Sequence, residues 1–207
     1  MPGGRDKPFS EACERNQGPI LEVLRQAFTG TRKVLEIGSG TGQHAVHIGR
    51  HLPDLIWQPS DRAEHLPGIR LWLEQAALPN LLAPLALDVN DDPWPATGAD
   101  ALFTANTLHI MSWDEVGTLF RKLGAYLPPD AVVAAYGPFN YGGRHTSESN
   151  ARFDLMLRER DPLSGIRDFE AVDALARAQG FVLAADHAMP ANNRTLVWAR
   201  VEDWRLL

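Results

Sequence analysis

The sequence predicts an α/β fold, a mostly parallel sheet with helices on both faces, from three observations. Short apolar runs alternate with helical patterns, the first run ends in a glycine-rich turn, and Ala131–Tyr136 is apolar without interruption. Alternation of this kind builds βαβ units, and a continuous apolar run suits a strand covered on both faces. At 207 residues and 44% hydrophobic, the chain can bury one sizeable core. Residues 1–207 are expected to form one domain.

Each element has its own signal. Ile20, Leu24 and Phe28 recur at i, i+4 and i+8, so an amphipathic helix precedes the first strand, with Gly18-Pro19 suited to its start or restart. The first strand is Lys33–Ile37, and the helix from about Gly42 to His51 turns Ala45, Ile48 and Leu52 to the sheet. A second strand, Leu55–Gln58, leads to a helix over Gly68–Ala77. A third is expected over Leu82–Leu87, and the breakers in 90–98 make that segment a loop. Strand four, Ala101–Ala105, feeds a helix whose start is marked by Ser112 and Glu115 as a capping box. Its buried stripe is Val116, Phe120 and Leu123. Strand five, Ala131–Tyr136, is followed by a polar, glycine-rich segment over 137–147 and a helix to about Arg160. Asp168 caps a further helix that ends at Gly180. Phe181–Ala188 and Arg194–Val201, separated by Met-Pro-Ala-Asn-Asn, pair as an antiparallel hairpin.

The stretch Val34-Leu-Glu-Ile-Gly-Ser-Gly-Thr-Gly42 carries the functional information. Glycines stand where the main chain takes positive φ or lets a ligand approach its amides, and three in five residues exceed the needs of a turn. A dinucleotide fingerprint places its last glycine one helical turn in; Gln43 stands there instead. Glu36 adds a negative charge beside the cradle, which suits a cation better than a pyrophosphate. S-adenosylmethionine, with a sulfonium, an ammonium and no phosphate, fits. Asp61 lies nineteen positions after Gly42, where a second strand presents an acid to ribose hydroxyls. Asp88 closes the third run, where a carboxylate accepts from an adenine amino group. Each aspartate alone reads as a turn or cap residue; their joint placement argues for a site.

These motifs, with the run Ala99–Ile110, resemble a class I S-adenosylmethionine-dependent methyltransferase. More narrowly, the chain resembles a methyltransferase-like family known mainly as a domain of unknown function. That match rests on Glu14-Arg-Asn-Gln17, Pro59-Ser-Asp61, Asn106 with His109-Ile110, Tyr136-Gly-Pro-Phe139, Thr146-Ser-Glu-Ser-Asn150, Phe153-Asp154 and Met189-Pro-Ala-Asn-Asn193. It spans nearly the whole chain. The resemblance implies a Rossmann-like, seven-stranded, mostly parallel sheet with its last strand antiparallel, and S-adenosylmethionine as cofactor. The implied cofactor residues are Asn16, Glu36, Gly38, Ser39, Gly40 and Thr41, then Gly42, Asp61, Asp88, Val89 and Asn106. Residues 1–30 would form a helical cover, and 138–160 a substrate-side loop and helix.

In such folds the ligand lies outside the carboxyl ends of the strands, where strand order reverses. Asn106 and His109 follow strand four, and His109, titrating near neutrality, is the candidate general base. A structural histidine is the equal alternative. Tyr136 is the second catalytic candidate, and Phe139, Asn140, Arg144, His145 and Asn193 are candidates to line a substrate pocket. His44, His47 and His51, at i, i+3 and i+7, read as a solvated helix face rather than metal ligands. No metal is expected. Cys13, the single cysteine, reads as a small packed side chain and fits a cytoplasmic location. The tryptophans, Trp204 among them, read as packing residues.

A net charge of -6 and a pI near 5.6 argue against a nucleic-acid surface, which needs a clustered basic face. Adenine-directed methylation usually carries an N-P-P-aromatic tetrapeptide after strand four; Thr104-Ala-Asn-Thr107 lacks it. No G-x-S-x-G elbow suggests a hydrolase. No run of eighteen apolar residues spans a membrane, and the amino terminus lacks the apolar core of a signal peptide. The expected activity is methyl transfer to a small molecule. The alternatives are a protein methyltransferase and a non-catalytic cofactor-binding interaction protein. The sequence leaves oligomeric state open.

Overall fold

The structure, a computed structural model, describes residues 7–200. Residues 1–6 of the expected cover, Val201 at the end of the last expected strand, and Trp204 lie outside the described residues. Helix α1 (Glu11–Ala27) precedes β1 (Lys33–Ile37), α2 (Gln43–His51), β2 (Ile56–Asp61), α3 (Leu66–Ala76) and β3 (Leu85–Ala86). There follow β4 (Ala101–Ala105), α4 (Trp113–Tyr126), β5 (Val132–Gly137), β6 (Phe139–Asn140), α5 (Glu148–Arg160), β7 (Arg167–Asp168) and α6 (Phe169–Arg177). A final hairpin comprises β8 (Phe181–Met189) and β9 (Asn193–Arg200).

Seven strands form one sheet in the order β3-β2-β1-β4-β5-β9-β8. Neighbours from β3 to β5 are parallel, and β9 is antiparallel to both β5 and β8. This is the Rossmann-like, mostly parallel arrangement with the last strand antiparallel. Strand order reverses beside β1, so a crevice opens between the carboxyl ends of β1 and β4. Apolar side chains pack on both faces. One cluster joins Leu35, Leu102, Phe120 and Trp198; the other joins Ile20, Leu24, Trp57 and Phe103.

Local differences from the sequence reading have physical causes. Helix α1 begins at Glu11, capped by Ser10, whose hydroxyl accepts from the Cys13 amide; Pro19 sits inside a continuous helix. Burial of Ile20, Leu21 and Leu24 offsets the missing proline donor. The third strand shrinks to two residues because Pro84 has no N–H for the ladder. Conversely, β2 runs on through Pro59 to Asp61, its terminal residues pairing with β1 and β3. Within the segment expected to be a loop, β6 pairs in parallel with β7, a two-residue contact too short to leave a pattern. Asp168 stands at the cap position of α6 but makes no capping bond, and its Oδ1 is buried without a partner. The capping box of α4 is complete: Ser112 Oγ accepts from the Glu115 amide and Glu115 from the Ser112 amide.

Trp57 and Trp198 are buried and Trp94 nearly so, as core residues, whereas Trp113 is exposed. Trp72 clasps the chain ahead of α1: its indole N–H donates to the Pro8 carbonyl at 2.6 Å, and the Lys7 ammonium lies 3.4 Å over its ring. No described helix is long and apolar enough to cross a membrane.

Candidate functional site

The turn after β1 is held from several sides. The Gly38 and Ser39 amides both donate to the Ser60 carbonyl at 3.0 Å, fastening the turn to the end of β2. The Gly40 amide donates to Asp61 Oδ2 at 2.7 Å. Gly38 has φ 73°, and a Cβ there would lie 2.7 Å from Thr107 Oγ1, so glycine is required both for the turn and for its approach to the loop after β4. Gly42, at φ 89°, starts α2 with Ile69 close behind it.

Glu36 lies beneath this turn and does not line the cavity. Its Oε2 accepts from the Ser39 hydroxyl at 2.8 Å and the Trp57 indole N–H at 2.9 Å. Burial pushes its carboxyl up to about 7 against those two hydrogen bonds, and nearby Asp61 adds to the rise. Its influence on the cavity is electrostatic and passes through Ser39.

A cavity of about 570 Å³ lies over the turn. Of the sequence-predicted residues, it brings together Gly38, Ser39, Gly40, Thr41, Asp61 and Asp88, and adds Val89, Asn106 and His109. Asp88 Oδ1 accepts from the Asn90 amide at 2.9 Å, and Oδ2 pairs with Arg62 at 3.2 Å. Arg62 also reaches Glu115 at 3.3 Å, so the one guanidinium on this wall is shared between two carboxylates. Such a surface offers little to a phosphate. Asn106 holds a left-handed backbone, φ 56°, a conformation asparagine tolerates better than most residues.

Gln43, standing where a dinucleotide fold has glycine, latches the amino-terminal segment. Its Oε1 accepts from the Ser10 amide at 2.6 Å and its Nε2 donates to the Ser10 carbonyl at 3.3 Å. Ser10, Ala12 and Cys13 are thereby brought to the cavity wall, with α1 as the expected cover.

His44 corrects the reading of its helix face as solvated: it is buried and lines the cavity. Its Nε2–H donates to Asn16 Oδ1 at 2.7 Å, because a carboxamide oxygen only accepts. The bare Nδ1 then faces the Cys13 thiol at 3.8 Å. Burial, helped by His47, pushes His44 down to about 4, and burial raises the Cys13 thiol. The pair is a neutral thiol beside a neutral imidazole, not a thiolate nucleophile. His47 is half-buried and His51 exposed. Among the described residues, no three His, Cys, Asp or Glu side chains gather as a metal site.

His109 is buried, its ring edge-on to Phe153 at 5.3 Å. Burial, then the nearby Arg167 charge, pushes it down to about 4. Arg167 stands there as a clamp, donating to the carbonyls of Leu108, Met111 and Leu163. Tyr136 is buried at the end of β5, outside the cavity lining. Burial raises its pKa, with Asn16 and Asn193 acting the other way, so it is a neutral phenol.

Four predicted substrate residues are placed elsewhere. Phe139 is in the core. Asn140 is buried and its Oδ1 contacts His145 Nδ1 at 2.8 Å. His145 lies 3.8 Å from Asp154, and Arg144 is exposed on a turn with Tyr141. Asn140 and His145 brace the 137–147 segment against α5 and β7, and none of the four lines the cavity. Asn193 lines a second hollow with Tyr141 and Arg194. Missed by the sequence reading were Ser10, Cys13, His44, Arg62, His65 and Phe153 as lining residues; the Gly42-Gln43-His44 junction was the available signal.

Sheet order, crevice and cradle together define the class I methyltransferase fold, and solved structures agree. An O-methyltransferase family protein from Burkholderia thailandensis superposes with a TM-score of 0.81 at 16% identity, covering 93% of this chain and 58% of that one. The S-adenosylmethionine-dependent methyltransferase SibL, in its apo form, gives 0.78 at 25% identity, with 92% and 56% covered. Human N-acetylserotonin methyltransferase in complex with SAM gives 0.76 at 16% identity, with 92% and 53% covered. The chain thus spans little more than half the length of these proteins. Residues 7–200 match the family described as "Protein of unknown function (DUF938)", and the chain belongs to that family.

Proposed function

We propose that this protein binds S-adenosylmethionine in the cavity over the β1 turn and transfers its methyl group to a small-molecule acceptor. The observation that carries the reading is the set of strand-end acids around a glycine cradle: Asp61, which holds the Gly40 amide, and Asp88 on the cavity wall, with Glu36 beneath. This arrangement complements a cation bearing a ribose and an adenine. The complex of the human neighbour with SAM supports the choice of cofactor.

In this reading Asp61 keeps its bond to the Gly40 amide and accepts from the ribose hydroxyls with its remaining lone pairs, Val89 and Asp88 flank the adenine, and Asn16 acts through His44. The bound cofactor supplies an electrophilic methyl; the protein positions it and excludes water. His109, neutral above about pH 4, adds no positive charge beside the sulfonium before reaction; on taking the acceptor's proton it becomes an imidazolium as the sulfonium loses its charge with the methyl. Tyr136, a neutral phenol, orients rather than removes a proton.

His109→Ala is expected to lower methyl transfer by at least tenfold while cofactor affinity stays within about twofold. Tritiated S-adenosylmethionine with a fractionated metabolite extract measures the first quantity and calorimetry the second. Equal incorporation by both proteins would remove His109 as the base.

Glu36 gives a pH dependence with a defined sign. Below about pH 7 it carries a proton that a cationic ligand must expel, so affinity falls by up to about tenfold per pH unit. Above that point the carboxylate is formed and affinity is level. Glu36→Gln should abolish the part of the slope seen in wild type but not explained by the ligand's own titration. Identical slopes in the two proteins would show that Glu36 does not sense the ligand's charge.

A further inference from the structure

Helix α5 is turned inside out. A surface helix sets its apolar stripe on the core and its polar face in water, whereas α5 buries Asn150 and Asp154 with Leu157 and leaves Leu155 63% and Met156 41% exposed. Polar bonds fix this orientation. Asn150 Nδ2 donates to Thr146 Oγ1 at 3.0 Å and to the Asn192 carbonyl at 3.1 Å. Asp154 accepts from the Ile166 amide at 2.7 Å and from Arg158 Nε at 2.9 Å. The helix cannot roll its apolar side chains inward without breaking these bonds. We propose that the exposed face of α5 is the interface of a two-fold symmetric dimer, in which a second copy of the chain packs its own α5 antiparallel to the first.

The apolar surface extends beyond the helix. Leu163, 64% exposed, follows its end, and Ile110, 56% exposed, stands on the loop after β4. The two segments interlock: the Ser164 hydroxyl donates to the Ile110 carbonyl at 3.0 Å, and the Gly165 amide to the His109 carbonyl at 2.9 Å. Isolated apolar side chains at a surface need no partner, but a group of them marks an interaction site. Ile110 and, from α5, Phe153 also line the cofactor cavity, so this surface borders its mouth.

The charges on the face identify its occupant. Arg152 and Glu159 stand equally far on either side of the midpoint between Leu155 and Met156. At 3.6 residues per turn both fall on the midline of the exposed face, and the two apolar side chains flank that line. A half-turn about an axis through the midpoint sets Arg152 opposite the partner's Glu159, and Glu159 opposite the partner's Arg152. Leu155 and Met156 of both copies then meet between two ion pairs. This is the self-complementary patch an isologous contact requires, and a parallel pairing would set like charges against each other. Both groups are free to turn outward. Arg152 reaches only Glu148 on its own helix, at 3.8 Å with both side chains exposed, a weak restraint. Glu159 has no ion-pair partner among the described residues. An unlike protein has no need of this symmetry, and an anionic membrane surface would call for positive charge alone.

Sedimentation velocity of the full chain over roughly 1–100 µM tests the proposal, a range suited to a contact smaller than the standard ~800 Å² per partner. The wild type is expected to pass from 22.9 kDa to twice that mass as concentration rises. Leu155→Glu should weaken the dimer by about tenfold or more. Arg152→Glu and Glu159→Arg each set like charges in opposition, so each variant alone should stay monomeric. An equimolar mixture of the two should dimerise, because every pair across the axis is then of opposite sign, and this recovery shows that both variants are folded. A wild type that stays monomeric over the whole range, single variants that dimerise as it does, or a mixture that remains monomeric would each overturn the proposal. Monomer that instead co-sediments with phosphatidylglycerol vesicles would overturn it in favour of a membrane. None of these outcomes depends on the cofactor or on methyl transfer.

Discussion

Asp61→Ala is expected to weaken S-adenosylmethionine binding by about 10- to 100-fold, or ~1.4–2.8 kcal/mol, with no loss of fold. Two effects combine. The ribose loses a charged acceptor, and the Gly40 amide, now 2.7 Å from Asp61 Oδ2, loses the partner that sets the turn. Asp61→Asn separates them, since its oxygen still accepts from Gly40; a loss of about tenfold or less is expected there. Calorimetry gives both affinities, and an Asp61→Ala protein that binds as tightly as wild type would exclude this carboxylate from the ribose.

Gly38→Ala should be the most damaging small substitution in the turn. The left-handed φ of 73° costs a side chain about 1–2 kcal/mol. A Cβ 2.7 Å from Thr107 Oγ1 and 2.9 Å from its Cγ2 adds an overpacking penalty of about 1–3 kcal/mol. The sum, ~2–5 kcal/mol, lowers the Tm by roughly 4–20 °C for a chain of this size. Thr107→Ala removes both clashing atoms, so Gly38→Ala/Thr107→Ala should recover the packing part and keep the backbone part. A Gly38→Ala protein melting within 1–2 °C of wild type would mean that the turn has room the present geometry denies it.

The parts of this molecule legible in the sequence are those set by local rules. Strands buried on both faces left continuous apolar runs, and the turn after β1 left three glycines because its backbone admits little else. The strand-end acids followed at spacings dictated by one helix and one strand. His44 was misread because a single buried face was assumed for α2. That helix packs against the sheet on one side and α1 on another, so Gln43, His44, Ala45 and Val46 are buried in succession, and a 3.6-residue periodicity no longer sorts inside from outside. The start of α1 was misplaced because Gly18-Pro19 outweighed Ser10 as a signal, whereas packing of Ile20 and Leu24 carries the helix through the proline. The residues of 137–147 were assigned to a pocket because they follow strand five at the carboxyl end of the sheet. Tertiary contacts with α5 and β7 spend Asn140 and His145 on the scaffold, a pairing across a fold that no local pattern records. The second hollow is equally nonlocal, its walls lying more than forty residues apart.

The central claim is that the cradle after β1 holds a sulfonium cofactor rather than a dinucleotide. Calorimetric titration with S-adenosylmethionine and S-adenosylhomocysteine, with NAD as the competing ligand, tests it most directly. The account predicts micromolar binding of the first two, weakened together by Asp61→Ala, and no heat from NAD. Binding of NAD, or heat from neither S-adenosylmethionine nor S-adenosylhomocysteine, would contradict it and leave the fold in service of another ligand or of interaction alone.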